Sequence, residues 1–528
     1  MQDEKRQGHR GMTVLLTAAE AYPALERAFL AATREIHGSF LVFDLSTRLR
    51  SPEALQIGST WFDLVVHTLN RGVAIHFTLS DVDSIARPMM HRDAWRSVRM
   101  FSAAAAVAEP GARLTVQAAR HPARTGLAIR LAVWPYVLKR LFDTTRELNR
   151  MPAQVRAANL RDMPDYAGLV RVGTDGRLRP RVWALPQLHP LTHHQKMAVI
   201  DRRLLYIGGL DLDERRFDTP QHRQDADQTW HDVQIMLDDP AVVAAAQAHL
   251  EGFLQSVRSG VANAPSPPFL RTLSRGRAFA PFHFGPARKH AEIAAAHHAL
   301  IGRSRRLIYL ETQYFRDRSL ARALAGRALA EPGLELILII PSAPEEVAFS
   351  DRPGSDSRLG EHLQARCLRI IRKAFGKRLL VLSPAQRRGA PRPPEPEPEP
   401  EGAERARLRE APIVYVHAKV SIFDTAAAIV SSANLNGRSL YWDTEAGVLL
   451  DAPEDVAHLR ERVMRHWLPE DAGPDHLDPD TALARWRTLA STNARGAPDD
   501  RRGFLLPHDF AAAERFGHPL PVIPEEMV

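Results

Sequence analysis

Cysteine is almost missing from this chain of 528 residues. The single Cys367 excludes an intramolecular disulfide framework and fits a reducing compartment. No run of eighteen apolar residues occurs, so no membrane-crossing helix is expected. The first ten residues are charged. The apolar Val14-Leu-Leu16 that follows is too short for a signal-peptide core, and Glu20 interrupts the stretch beyond it. The expectation is a cytoplasmic protein, with export by a dedicated secretion machine as the other route. Aromatic residues make up only 7% of the chain, too sparse to suggest a surface for stacking bases. There is no Cys-based or H-E-x-x-H metal spacing, only the adjacent pairs His193-His194 and His297-His298. A Gly-rich phosphate loop is also lacking, so neither a metal nor a cofactor is expected to take part in catalysis. Lysine is scarce as well: seven of the seventy basic residues, the rest being arginine.

Two of those seven lysines sit in the same spacing. Thr192-His-His-Gln-Lys-Met-Ala-Val-Ile-Asp201 and Tyr415-Val-His-Ala-Lys-Val-Ser-Ile-Phe-Asp424 both read H-x-K-x4-D, with His194, Lys196 and Asp201 in one and His417, Lys419 and Asp424 in the other. Chance would produce two such matches on the order of once in ten thousand chains. On a β-strand, His and Lys two residues apart point to one face. An imidazole beside an ammonium suits an anionic, tetrahedral substrate: one attacks or donates a proton while the other holds oxygens. The Asp lies an odd number of residues from the Lys, on the opposite face, and is read as an ordering residue.

The motifs stand among further segments: Tyr206-Ile-Gly-Gly-Leu-Asp-Leu212, Arg216-Phe-Asp-Thr-Pro-Gln-His222 and Trp230-His-Asp232 after the first; Ile308-Tyr-Leu-Glu-Thr-Gln-Tyr-Phe315 between them; Ser431-Ser-Ala-Asn-Leu-Asn-Gly-Arg-Ser439 and Asp443-Thr-Glu445 after the second. This set, spread over roughly residues 15 to 470, resembles the phospholipase D superfamily, and within it the phosphatidylcholine-type branch more than the short nucleases. The resemblance implies two similar α-β-α halves with mixed sheets, packed about a pseudo-twofold axis where the motifs meet. It also implies a phosphohistidine intermediate. One histidine attacks phosphorus; the other protonates the leaving alcohol and then deprotonates water. We take His194 as nucleophile and His417 as acid/base, an order that a symmetric site could reverse. Lys196 and Lys419 would bind non-bridging oxygens. Gly208, Gly209, Ser431 and Ser432 occupy the family's small-residue positions, with Gly209, Ser432 and Asn434 at the phosphate. Asp211 stands where the superfamily usually has Asn and is taken as structural, like Asp201 and Asp424. Carboxylates behind the rings would orient them, and the matching positions pair Glu445 with His194 and Asp232 with His417, each across the two halves.

Read in order, the chain repeats helix–strand–helix–strand twice, which is the α/β pattern. Expected helices lie near 17–36, 61–70, 131–148, 241–257, 290–301, 319–329, 360–375 and 481–489, and expected strands near 39–45, 72–79, 306–310 and 334–340. The boundaries read as a disordered N-terminus (1–14), a first half (15–262), a linker (263–287), a second half (288–470) and a C-terminal extension (471–528). A Pro/Glu-rich, low-complexity insertion is expected at 384–411. The helix at 131–148 has aromatics that either face the core or lie on a membrane. The net charge of +8 favours anionic partners without separating a phospholipid surface from nucleic acid. The leading function is therefore a phospholipase D, acting as a peripheral, monomeric enzyme on phospholipid and capable of transphosphatidylation. A nuclease-like phosphodiesterase is the alternative. A catalytically idle lipid-binding scaffold is disfavoured because both His–Lys pairs are intact.

Overall fold

The computed structural model describes residues 11–261, 267–277, 281–350, 354–390, 402–520 and 523–528. The first half of the chain contributes β1 (Met12–Leu16), β2 (Glu35–Phe40), β3 (Ala74–Asp81), β4 (Leu114–Arg120), a separate hairpin of β5 (Val170–Val172) and β6 (Leu178–Pro180), then β7 (Met197–Ile200), β8 (Leu204–Gly208) and β9 (Val233–Leu237). The second contributes β10 (Phe269–Arg275), β11 (Ala287–Ala291), β12 (Leu307–Thr312), β13 (Glu335–Ile339), β14 (Leu379–Pro384), a short hairpin of β15 (Arg407–Leu408) and β16 (Ala411–Pro412), then β17 (Lys419–Phe423), β18 (Ala427–Ser431), β19 (Glu445–Leu450) and β20 (Leu505–Pro507).

The two large sheets run β1-β9-β8-β7-β2-β3-β4 and β11-β10-β19-β18-β17-β12-β13-β14-β20. Without the edge strands β11 and β20, the orders correspond one to one. Pairing senses correspond too: β2, β3 and β4 are parallel neighbours, as are β12, β13 and β14, while β7 and β17 run antiparallel to β2 and β12. The duplication in the motifs thus extends to whole sheets, and the chain is a mixed α/β protein of two like halves.

Alternation along the strands explains the layering. Met197 and Val199 of β7 and Val420 and Ile422 of β17 face one shared core between the sheets. Ala198 and Ile200 face the first half's outer helices, and Phe423 those of the second. A strand buried on both faces needs a continuous apolar run, which both motifs supply. Each aliphatic side chain fully buried there contributes roughly 1.5–3 kcal/mol.

Helices form close to where periodicity places them: Thr17–Ala31, Trp61–Asn70, Pro240–Ser259, Glu292–Arg303, Arg318–Ala330, Ser355–Phe375 and Ala482–Asn493. The helix expected over 131–148 breaks at Val133 into Leu127–Ala132 and Trp134–Arg150. The longer piece buries Val137, Leu141 and Leu148 while Tyr136 and Phe142 stay exposed. The strand expected at 39–45 lies at 35–40 instead, and Phe43 and Leu45 reach the core from an irregular segment.

Several boundaries need correcting. β1 begins at Met12, within the expected N-terminal tail, because its apolar side chains pair with β9; residues 1–10 lie outside the described residues. The expected linker contains β10, which sits inside the second sheet against β19 and buries Phe269 and Leu270. The expected extension supplies β20, which closes the sheet edge beside β14, and Trp486, which packs on Tyr309. The expected insertion at 384–411 has built flanks: β15 and β16 bury Leu408 and Ala411, and residues 391–401 lie outside the described set. No described helix is long and apolar enough to cross a membrane.

Candidate active site

The two motifs enter the site in the same way. His193 bridges to Thr444, and His194 N donates to Thr444 O at 2.8 Å. Reciprocally, Val416 bridges to His231, and His417 N donates to His231 O at 2.8 Å. Neither histidine is inside a regular strand; each sits on extended backbone just before β7 or β17, paired to the opposite half. The residue after Thr444 is Glu445, and the residue after His231 is Asp232. The backbone that pairs with each motif therefore delivers the carboxylate behind its histidine. Glu445 Oε1 lies 2.9 Å from His194 Nδ1, and Asp232 Oδ2 lies 2.6 Å from His417 Nδ1. These are the two cross-half pairs expected from the sequence. With Nδ1 held by a carboxylate, Nε2 of each ring is the atom left for chemistry.

The motif aspartates turn away from this centre. Asp201 accepts from the backbone N–H groups of Thr33, Arg34 and Glu35 at 2.8–3.0 Å, and Asp424 from those of Arg305, Arg306 and Leu307 at 2.8–2.9 Å. Each occupies a left-handed turn (φ +52° and +54°), which Asp tolerates better than most residues. They tie the hairpin turns after β7 and β17 to the start of the neighbouring strands.

Lys196 is fully buried, with Nζ donating to His194 O at 2.6 Å and standing 3.5 Å from Asp211. Lys419 Nζ lies 3.0 Å from His417 Nδ1. Asp211 accepts from Leu41 N and Val42 N at 3.0 and 2.9 Å and from Arg216 at 3.0 Å, so its carboxylate is bound into the scaffold.

Gly209 and Ser432, both expected at the phosphate, lie against the supporting carboxylates. A Cβ on Gly209 would come within 2.2 Å of Asp232 Oδ1, so the glycine leaves room for the carboxylate behind His417. The Ser432 hydroxyl donates to Glu445 Oε2 at 2.5 Å and orients the other supporting carboxylate. Asn434 Nδ2 donates to Gln313 Oε1 at 3.1 Å, and Gln313 in turn donates to Tyr415 Oη at 2.9 Å.

Arg216, Trp230, Gln313 and Tyr415 had no assigned role in the sequence reading. The guanidinium of Arg216 lies 4.8 Å from the Trp230 ring, and that ring lies 4.5 Å from His417. All four fall within the quoted segments, which was the available signal, but an arginine in an arginine-rich chain does not stand out. The adjacent histidine pairs diverge: His193 bonds Thr444 Oγ1, while His297 bonds Ile293 O and Ser421 Oγ.

Burial, followed by the neighbouring ammonium of its own motif, pushes both His194 and His417 well below the usual imidazole range. Burial raises Asp232 to about 6 against the pull of Lys419, and Glu445 to about 7 against that of Lys196. Lys419 is lowered by burial to about 7, although Asp232 opposes the shift. The ionised carboxylates and the protonated lysine form the working arrangement, so kcat/KM should rise with pH as Asp232 and Glu445 lose protons. It should fall as Lys419 loses its own, giving a bell with its maximum near pH 7. A pH–rate profile checks this. In Lys419→Arg, whose charge does not titrate, the alkaline limb should move upward.

Residues 298–467 match the family model described as "Cardiolipin synthase, PLD-like domain". No curated protein matches the chain. Among solved structures, phosphatidylserine synthase of Haemophilus influenzae Rd KW20 aligns over 92% of this chain and 93% of its own, at 12% identity and a TM-score of 0.48. Polyphosphate kinase from Porphyromonas gingivalis aligns over 86% of this chain and 46% of its own, at 12% identity and a TM-score of 0.41. The matched stretch, residues 298–467, carries the second H-x-K-x4-D motif, and the first motif lies outside it.

Proposed function

We propose that this protein cleaves the distal phosphodiester of a glycerophospholipid as a phospholipase D. The observation that carries the reading is the reciprocal construction of the site: two imidazoles, each with Nδ1 on a buried carboxylate from the opposite half. In the first step His194 Nε2 attacks phosphorus, the bond to the head-group oxygen breaks, and His417 gives its Nε2 proton to the leaving oxygen. In the second, water attacks the phosphohistidine, passes a proton to His417 and releases phosphatidic acid as the P–N bond breaks. The His194 side chain is 16% exposed against 6% for His417, which favours His194 as the ring that meets the incoming phosphorus. Lys196, Lys419 and Arg216 offset the charge on the phosphoryl oxygens. A bound anion between them favours the imidazolium form of His417 that the empty, cationic site disfavours.

A lipid substrate also accords with the surface. Leu127, Leu131, Trp183 and Phe282 are exposed, Trp183 at 90%, and the loop at Phe282 is bonded to the helix at Leu127 through His283 O and Pro281 O. The backbone runs from Trp183 directly to His194. We read this edge as the one that meets the bilayer, with the protein a peripheral, monomeric enzyme and the cytoplasm its default compartment.

A second reading, phosphatidyl transfer to an alcohol, is favoured by the name of the matched family model. It shares the first step and differs only in the acceptor. Mixed phospholipid vesicles, without added metal and with or without glycerol, test both. Free head group with phosphatidic acid supports hydrolysis, and a phosphatidyl-alcohol made in its place supports transfer. No release from lipid together with cleavage of single-stranded DNA would replace both readings with the nuclease-like one.

A further inference from the structure

Behind His417, the imidazoles of His222, His231 and His466 converge. His222 Nε2 and His466 Nε2 lie 2.9 Å apart, and one ligand-capable atom from each of His222, His231 and His466 falls within 4.8 Å of the others. The rings of His231 and His466 stack at 4.4 Å. His222 and His231 are completely buried. Trp467 packs 4.3 Å from His231 and Phe504 5.3 Å from His222, giving the cluster an aromatic jacket.

One of the three rings is hydrogen-bonded to a fixed carboxylate, and a second stands beside one. Asp218 Oδ2 lies 2.6 Å from His222 Nδ1 and also accepts from Trp230 N. Glu311 Oε1 lies 2.6 Å from His231 Nε2, and its Oε2 accepts from Tyr309 Oη and Trp467 Nε1. A carboxylate on one ring nitrogen is the usual support of a histidine whose other nitrogen binds a metal, because it sets the tautomer and raises ligand basicity. A hydrogen bond from His466 to His222 would account for the short Nε2–Nε2 contact. It would leave His231 unexplained: its Nδ1 is buried without a partner, and its Nε2 is close to Glu311 but out of hydrogen-bond alignment. Two nitrogens on one tetrahedral ion stand roughly 3.3 Å apart, given metal–nitrogen bonds of about 2.0–2.1 Å. The His222–His466 pair, at 2.9 Å, needs a small opening, and the His231 nitrogen lies within 4.8 Å of both.

We propose that His222, His231 and His466 bind a divalent transition metal ion of the zinc class. Borderline-soft imidazole nitrogens suit that class, and calcium and magnesium prefer oxygen. The cluster contains no fourth His, Cys, Asp or Glu among the described residues, so water completes the tetrahedron. The ion joins the halves: His222 and His231 come from the first, and His466 ends the helix Pro453–Trp467 of the second. Because His231 precedes Asp232 and its backbone pairs with Tyr415 and His417, the ion fixes the Asp232–His417 pair from behind. Its role is to hold that geometry; it takes no part in phosphoryl chemistry.

The test uses the full chain, stripped with chelator and reloaded with Co2+ or Zn2+. About one ion per chain, a tetrahedral Co2+ absorption spectrum and a raised melting temperature are expected. Asp218→Asn should weaken metal binding by about 10–100-fold. His222→Ala should abolish it, and if that variant does not fold, His466→Gln, at a half-buried helix end, gives the decision. An absent Co2+ band with no bound zinc and no melting shift overturns the proposal and leaves a hydrogen-bonded histidine cluster. Undiminished binding in His466→Gln also overturns it, because the ion would then lie elsewhere.

Discussion

His194→Ala and His417→Ala should each lower head-group release by at least about 10⁴-fold, since residues that act as a unit fail together when one is removed. The two losses should differ in kind. With a phosphodiester whose leaving group needs no proton, such as a p-nitrophenyl ester, His417→Ala should still form the covalent phosphoenzyme and then stall, because water lacks its base. His194→Ala should form none. Acid-quenched mass spectrometry of the intact chain reads the adduct directly. An adduct in His194→Ala and none in His417→Ala would reverse the assignment of nucleophile and acid. No adduct in any form of the protein, with activity intact, would exclude a phosphohistidine route.

Glu445→Gln and Asp232→Asn should show the second-largest effect. Each keeps the size of the side chain behind its histidine but removes the charge that accepts Nδ1–H at 2.9 or 2.6 Å. An amide can present its N–H instead, which leaves the imidazole in the wrong tautomer, a fault that costs about 10⁴-fold when the aspartate of a serine-protease triad is changed to Asn. We expect about 10³-fold or more in kcat, with little change in KM, because the carboxylates orient the rings and do not hold substrate. Glu445→Gln also alters the Ser432 contact, so Ser432→Ala is the control. It should cost far less, since the Glu445 charge remains. Steady-state kinetics on the three variants, with circular dichroism to show they are folded, checks the order. Equal losses in kcat for Ser432→Ala and Glu445→Gln would assign the effect to packing.

Much of the site was legible because its chemistry is written in short range. His, x, Lys is a local pattern, and in a chain so poor in lysine the two copies stand out at Lys196 and Lys419. Asp201 and Asp424 were readable as ordering residues from parity alone. The partners Glu445 and Asp232 came from matching segments to a family. No periodicity links position 194 to 445 or 417 to 232, separations of 251 and 185 residues. The fold class was legible from alternating helix and strand patterns. The edges of the halves were not: β10 and β20 are apolar stretches among Pro- and charge-rich neighbours, and they become strands because a sheet edge stands open beside them.

The sequence by itself determined which groups make up the candidate site, that there are two sets of them, and that each lies on an apolar run able to be buried on both faces. Tertiary structure alone decided what stands behind each ring. It exchanges carboxylates between the halves, places Gly209 and Ser432 behind the histidines, inserts Arg216 beside the lysines and gathers His222, His231 and His466 at the junction. The physical reason is that an imidazole's tautomer and charge depend on contacts a few ångströms away in space, and folding sets those contacts without regard to distance along the chain.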